Sequence, residues 1–300
     1  MLKKSLSLKK IFEQVIEGII KLSGIASVIL VGLIFIFLLK EGISIFKIVT
    51  PVDFIFGEQW HPISKPPEFG ILSLILGSVM ITIGAAIIGL PFGVASAVFI
   101  AEIATGRLKE ILKVGIEFLA AIPSVVIGFI GMVVIAPIIQ KTFNLSTGLT
   151  ALTGSIMLSI MAMPTIISIA EDAITGVPKK YREAALALGA THWQTIWLVV
   201  LRVASPGIVA ACMLGLGRVI GETMAVMMVT GNAAKIPHSL LEPARTLTAT
   251  IAAEMGETVQ GSMHYSALFA IGIVLFMIAF IINFTPKHYP LHSKHNSQDF

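Results

Sequence analysis

The chain has 300 residues, 56% of them hydrophobic and 13% charged, with a formal net charge of +4 and a mean hydropathy of +0.93. A water-soluble domain carries about 25% charged residues, so a soluble fold is excluded and the surplus apolar surface has to face lipid. The small positive charge, spread over loops, excludes a nucleic-acid-binding role, and a lone cysteine, Cys212, excludes an internal disulfide or a cysteine-based metal cluster.

Six apolar segments, near 18–40, 70–103, 114–139, 150–174, 204–230 and 263–285, are long enough to cross a bilayer, which takes about 20 helical residues. The fold class is therefore an all-α membrane protein with six transmembrane helices. The first segment follows a basic start, exceeds a typical signal-peptide core and is not followed by an Ala-x-Ala-like site. It is predicted to be a retained anchor, making 1–40 an appended N-terminal segment and first helix. Residues 41–69 form an external loop rich in proline (Pro51, Pro62, Pro66, Pro67), expected to be ordered only in patches.

Residues 70–285 read as a working core of five spans. Segment 70–103 is too long for one straight crossing and is expected to tilt, or to break at Leu90-Pro91, where proline removes a helical hydrogen bond. Gly89 with Gly93, and Gly217 with Gly221, have the spacing that lets helix backbones approach closely. In the third segment, Pro123-Ser124 interrupts the helical ladder. That break is either a packing kink or the start of a new helical piece capped by Ser124, whose free N–H groups attract an anion. The fourth segment ends in Glu171 and Asp172, read as solvated charges at headgroup level or as part of a partner interface. Its Thr153 and Ser155 have no spacing that assigns them a role. A second outer segment, 231–262, precedes the last span, and 286–300 is a polar tail.

Thirteen lysines and arginines, from Lys3 to Lys294, fall on one set of loops, against five (Lys47, Lys65, Lys141, Lys235, Arg245) on the other. The positive-inside rule places both termini in the cytoplasm.

The cytoplasmic loop 176–203 is long for a membrane protein. Pro178 suits the first turn of a helix, residues 179–188 are strong helix formers, and Gly189 is placed to end that helix in a left-handed conformation. Thr191 and Gln194 have capping-box spacing, so a second helix is predicted to start there. The elbow presents Tyr181, Ala184, Ala185 and Leu188 near helical spacing, a face suited either to a partner's groove or, with Lys179, Lys180 and Arg182, to lipid headgroups.

Arg218 and Glu222 lie inside the fifth segment. A charge at bilayer mid-depth costs about 3 kcal/mol on insertion scales, so such residues pair or serve a path. The i, i+4 spacing puts them on one helix face, where they can pair, but arginine before glutamate is the poorer orientation. A face lining a substrate route, with Arg218 as an anion ligand and Glu222 moderating its grip, is the other reading. A guanidinium fork matches phosphate oxygens.

Several segments carry a family resemblance. Glu183-Ala184-Ala185, Gly189 and Val199-x-Leu201 resemble the EAA loop of bacterial ABC-importer permeases, with Arg202 where the family usually has proline. Ile122-Pro123-Ser124-Val125-Val126, Met163-Pro164-Thr165 and Arg218-x-x-Gly221-Glu222-Thr223-Met224-Ala225-Val226 resemble the PstC-type permease of phosphate importers. The resemblance implies an ABC-importer permease core of five spans plus the N-terminal helix, in the bacterial cell (inner) membrane. It implies that Glu183, Ala184, Ala185 and Gly189 dock an ATPase, and that Arg218, Glu222 and Ser124 belong to the substrate path. The implied partners are a PstA-type second permease, an ATPase dimer holding ATP and Mg, and an external phosphate-binding protein. The chain has no Gly-x-x-x-x-Gly-Lys-Ser/Thr loop of its own, so it is expected to be no enzyme and to hold no cofactor or metal. A permease for molybdate or sulfate, or an ion-coupled secondary transporter, remain the alternatives.

Overall fold

The computed structural model describes residues 2–284, with side chains from 13 to 282. The basic residues of the first ten positions and the tail 286–300, for which a cytoplasmic location was expected, lie outside the described side chains or residues. Helix α1 (Leu2–Gly42) leads through a 3-10 turn to the short α2 (Pro51–Phe56) and a hairpin of β1 (Trp60–His61) and β2 (Glu68–Phe69). The remaining helices are α3 (Leu72–Val98), α4 (Gly106–Ala121), α5 (Ser124–Ile130), α6 (Ala136–Thr142), α7 (Ala151–Thr175), α8 (Lys179–Ala187), α9 (His192–Gln194), α10 (Leu201–Gly221), α11 (Met224–Val229), α12 (Leu247–Glu254) and α13 (Met263–Phe284). Among the described residues, six helical stretches are long and apolar enough to cross a membrane: Glu13–Lys47, Leu72–Ile103, Ser124–Thr142, Ala151–Thr175, His192–Gly221 and Met263–Ile282.

Helix α7 is the axis of the bundle. Thr150 caps its N-terminus by accepting from the Thr153 N–H, and both α3 and α10 pack along it. Small residues permit that approach. Gly84 faces Ser155, Gly89 faces Ser159, and Gly93 and Gly215 both face Ile166. The expected close packing at Gly89 and Gly93 is thus present. Gly221 has no atom of this chain within 4 Å of the position a side chain would take; on α10 the close approaches are at Gly207 and Gly215, against Ala173 and Ile166.

The core forms three clusters, two of them along α7. One, around Ile100, Ile174, Val177 and Val200, lies at the elbow end. The middle one joins Ile81, Met157, Leu158, Ile166 and Val229. The third joins Phe54, Trp60, Phe69, Leu247 and Leu268 at the opposite end. That third cluster anchors the 41–69 loop at separate points: Phe54, Trp60 and Phe69 are buried, while residues 63–68 are exposed. Glu254 fastens this end by accepting from Trp60 Nε1 at 3.0 Å and from Arg245 at 2.6 Å, and lies 2.7 Å from His264 Nε2.

One segment differs from expectation in where it breaks, and another, which breaks where expected, in where its spanning helix begins. Helix α3 runs unbroken through Pro91 and changes only at a π-helical turn, Phe99–Ile103. The single hydrogen bond that proline removes is tolerated because Gly89 and Gly93 hold α3 against α7 on either side. The third segment does break at Ile122-Pro123, so its continuous spanning helix begins at Ser124, and 114–121 belong to the amphipathic α4. Helix α1 joins the fold through α13, with Phe35 stacked on Phe276 at 4.7 Å and Phe37 edge-on to Phe269 at 5.4 Å.

Candidate functional site: a mid-bundle arginine and a surface elbow

Helix α10 ends at Gly221 because Glu222 turns to an extended conformation (φ −69°, ψ 133°). Glu222 and Arg218 therefore do not share a helix face, which corrects the i, i+4 reading. Arg218 Nη1 donates to Thr165 Oγ1 at 3.1 Å. Glu222 instead serves the break: its carboxylate accepts from Ala225 N–H at 3.3 Å, at the start of α11, and its carbonyl accepts from Thr248 at 2.8 Å. Among the described residues no ion pair joins Arg218 to Glu222. The residues come close through a small cleft bounded by Leu158, Met161, Ala162, Arg218, Val219 and Glu222.

The depth of Arg218 follows from its partner. Thr165 lies on α7 (Ala151–Thr175), about 21 Å from one end and about 15 Å from the other at 1.5 Å per residue. The guanidinium is thus near the middle of the bundle's height, yet it is exposed on the surface of this chain. Most of its five N–H donors have no protein partner among the described residues.

Ser124 is half-buried at the start of α5, below the break. Pro123 occupies the N-cap position (φ −59°, ψ 141°) and Ser124 is the first helical residue, so the expected Ser124 cap is corrected. The structure does not bring Ser124 into contact with Arg218 through any hydrogen bond among the described residues. Thr153 and Ser155 are fully buried and bonded to carbonyls of Gly148, Ala151 and Ile81, which makes them packing residues.

The elbow forms as its residues dictate. Helix α8 spans Lys179–Ala187, with Pro178 one position earlier than expected, at the N-cap. Gly189 takes φ +85°, which only glycine adopts without strain. Thr191 and Gln194 complete the capping box. Ala185 is buried against the chain, while Tyr181, Glu183, Ala184 and Leu188 are exposed. The expected face therefore divides: Ala185 packs inward and the others face outward.

Two buried carboxylates at this end were not resolved by sequence reading. Glu171 is 4% exposed and pairs with Lys113 at 2.8 Å and Lys109 at 3.3 Å, rather than sitting solvated. Glu102, in the π-turn after α3, pairs with Arg182 at 2.6 Å. Their partners lie some sixty and eighty residues away in sequence, beyond the reach of local spacing rules. The available signal was only that each carboxylate closes an apolar run.

The family model described as "Binding-protein-dependent transport system inner membrane component" matches residues 89–287. The chain is 42% identical over 248 residues to the probable ABC transporter permease protein YqgH of Bacillus subtilis, covering 82% of this chain and 80% of that one. It is 37% identical over 249 residues to the phosphate transport system permease protein PstC of Mesorhizobium japonicum, covering 77% and 75%. Among solved structures, the MetNI methionine ABC transporter in an inward-facing conformation aligns with a TM-score of 0.56 at 19% identity, over 72% of this chain and 92% of that one, a likeness of fold.

Proposed function

The chain belongs to the family of binding-protein-dependent transport system inner membrane components, the permeases of ABC importers, and we propose that it is the phosphate-conducting PstC-type subunit of an ATP-driven importer. The observation that carries this reading is Arg218. A guanidinium at mid-height costs about 3 kcal/mol if it faces lipid, and here it faces outward from its own bundle. A second permease set against α10 encloses it and turns that surface into a polar route. Thr165 orients the guanidinium from one side, leaving donors for the oxygens of a passing anion. Resemblance to relatives named for phosphate transport supports phosphate as that anion.

In this reading the partner permease is PstA-type, an external phosphate-binding protein delivers the ion, and two ATPase copies grip the elbow at Glu183, Ala184, Ala185 and Gly189. Nucleotide, with its Mg, binds one arrangement of the ATPases better than the other and thereby shifts the permease between its states. Glu222 fixes the break between α10, which carries Arg218, and α11; Ser124 is on the neighbouring break.

The test is Arg218→Gln in the assembled transporter, reconstituted into vesicles with radiolabelled phosphate, sulfate or molybdate. Phosphate uptake is expected to fall by about 100-fold or more while the second permease and the ATPase still copurify. Wild-type uptake in this variant removes Arg218 from the path, and preferred uptake of sulfate or molybdate by the unmodified transporter replaces phosphate as the cargo.

A further inference from the structure

One side chain ties the first helix of the elbow to the ends of α3 and α7. Arg182, on the second residue pair of α8, directs Nη2 to Glu102 Oε1 at 2.6 Å and Nε to Glu102 Oε2 at 3.5 Å, a fork on both carboxylate oxygens. The same guanidinium donates to the carbonyls of Ile174, at the end of α7, and of Val177, in the turn that follows. Three elements therefore meet on it: the π-turn closing α3, the last turn of α7, and α8. Both side chains are largely withdrawn from solvent, Glu102 at 8% and Arg182 at 23% exposure, so the contact is not the weak, screened kind found on open surfaces.

Otherwise α8 rests on the segment Thr195–Val200 that leads into α10. Ala185 packs inward, and the outward residues Tyr181, Glu183 and Leu188 touch little of this chain. The π-turn explains why Glu102 is available. In Phe99–Ile103 the backbone bonds reach one residue further, closing with Ala104 N–H to Phe99 at 2.8 Å, and this extra residue sets Glu102 beside α8. Beyond that point α3 and α7 are locked together through Gly84, Gly89 and Gly93, and α7 carries Thr165, the partner of Arg218.

We propose that the Arg182–Glu102 pair is the latch through which displacement of the elbow moves the α3–α7 unit and, with it, the mid-bundle arginine. Arg182 and Glu102 are positioning residues in this scheme, acting through the helices they join. The inference rests on the reading of the elbow as the ATPase-docking site.

The experiment uses the whole transporter in vesicles with Glu102→Gln, Arg182→Gln and the double variant, measuring ATP hydrolysed per phosphate taken up alongside ATPase copurification and thermal midpoint. The expected result is normal copurification with a rise of about five-fold or more in ATP used per phosphate, and no larger effect in the double variant than in either single one, because both act through one contact. A role confined to local stability lowers the thermal midpoint and the yield but leaves that ratio unchanged, and an unchanged ratio in assembled Glu102→Gln overturns the latch. That variant decides the matter even where Arg182→Gln does not assemble, since it leaves the arginine's bonds to the two carbonyls intact. Failure of any ATPase to copurify with the unmodified chain overturns the docking reading itself, and the latch with it.

Discussion

Lys113 holds its ammonium 2.8 Å from Glu171, and Lys109 approaches the same carboxylate at 3.3 Å. The hydrogen bond that Lys113 donates to Glu171 raises the lysine pKa above its usual 10.5, opposed in part by burial. A lysine whose folded pKa lies above its unfolded one stabilises the fold fully below the unfolded value and loses that contribution as pH rises through the folded value. The α4–α7 tie is therefore expected to be constant across neutral pH and to fade only in alkaline solution, above about pH 10.5. Glu171→Gln removes it at every pH. The cost is about 1–2 kcal/mol, less than for a fully buried pair, because the lysines are partly screened by water. Thermal midpoints of wild type and Glu171→Gln in detergent, compared from about pH 6 to about pH 11, check this: the gap should hold and then close at the alkaline end. A gap that closes near neutrality contradicts the assignment to Lys113. Arg218 was legible from its apolar surroundings, as a charge inside a span must be. Its partner was not, because pairing with Glu222 presumed a helix that in fact ends at Gly221.

Helix-scale features divide between those coded locally and those fixed by packing. The elbow was readable because each boundary has its own chemistry: a proline start, a glycine with φ +85°, and a Thr–Gln capping box. The course of α3 was not, since whether Pro91 breaks a helix depends on what packs beside it. Glycine contacts offer a measurable contrast. At Gly148 a side-chain carbon would lie 1.7 Å from the Ala136 carbonyl oxygen, which is backbone and cannot move aside. Gly148→Ala is expected to cost about 3 kcal/mol by shifting the turn between α6 and α7. Gly221→Ala meets open space and should change stability by no more than about 0.5 kcal/mol. Thermal unfolding of the two purified variants measures the difference; equal midpoints contradict the packing described for the α6–α7 turn.

Geometry alone gives the bundle two distinct ends without saying which faces the cytoplasm. One end carries the elbow with Lys109, Lys113, Lys179, Lys180 and Arg182; the other carries the hairpin core with Lys65, Lys235 and Arg245 around Trp60, Glu254 and His238. The proposed function requires the elbow end, where lysine and arginine are in excess, to face the inside, within reach of ATP, and the hairpin end to face outward. This assignment predicts a labelling pattern. In a Cys212→Ala background, Ile63→Cys, 84% exposed on the hairpin side, should react with a membrane-impermeant maleimide in intact cells. Thr105→Cys, exposed in the turn before α4, should react only after the membrane is opened. The reverse pattern would put the elbow outside, away from nucleotide. No ATPase could then drive α8, and the proposed routes through Arg182 and Arg218 would both fall, whatever the packing of the helices that carry them.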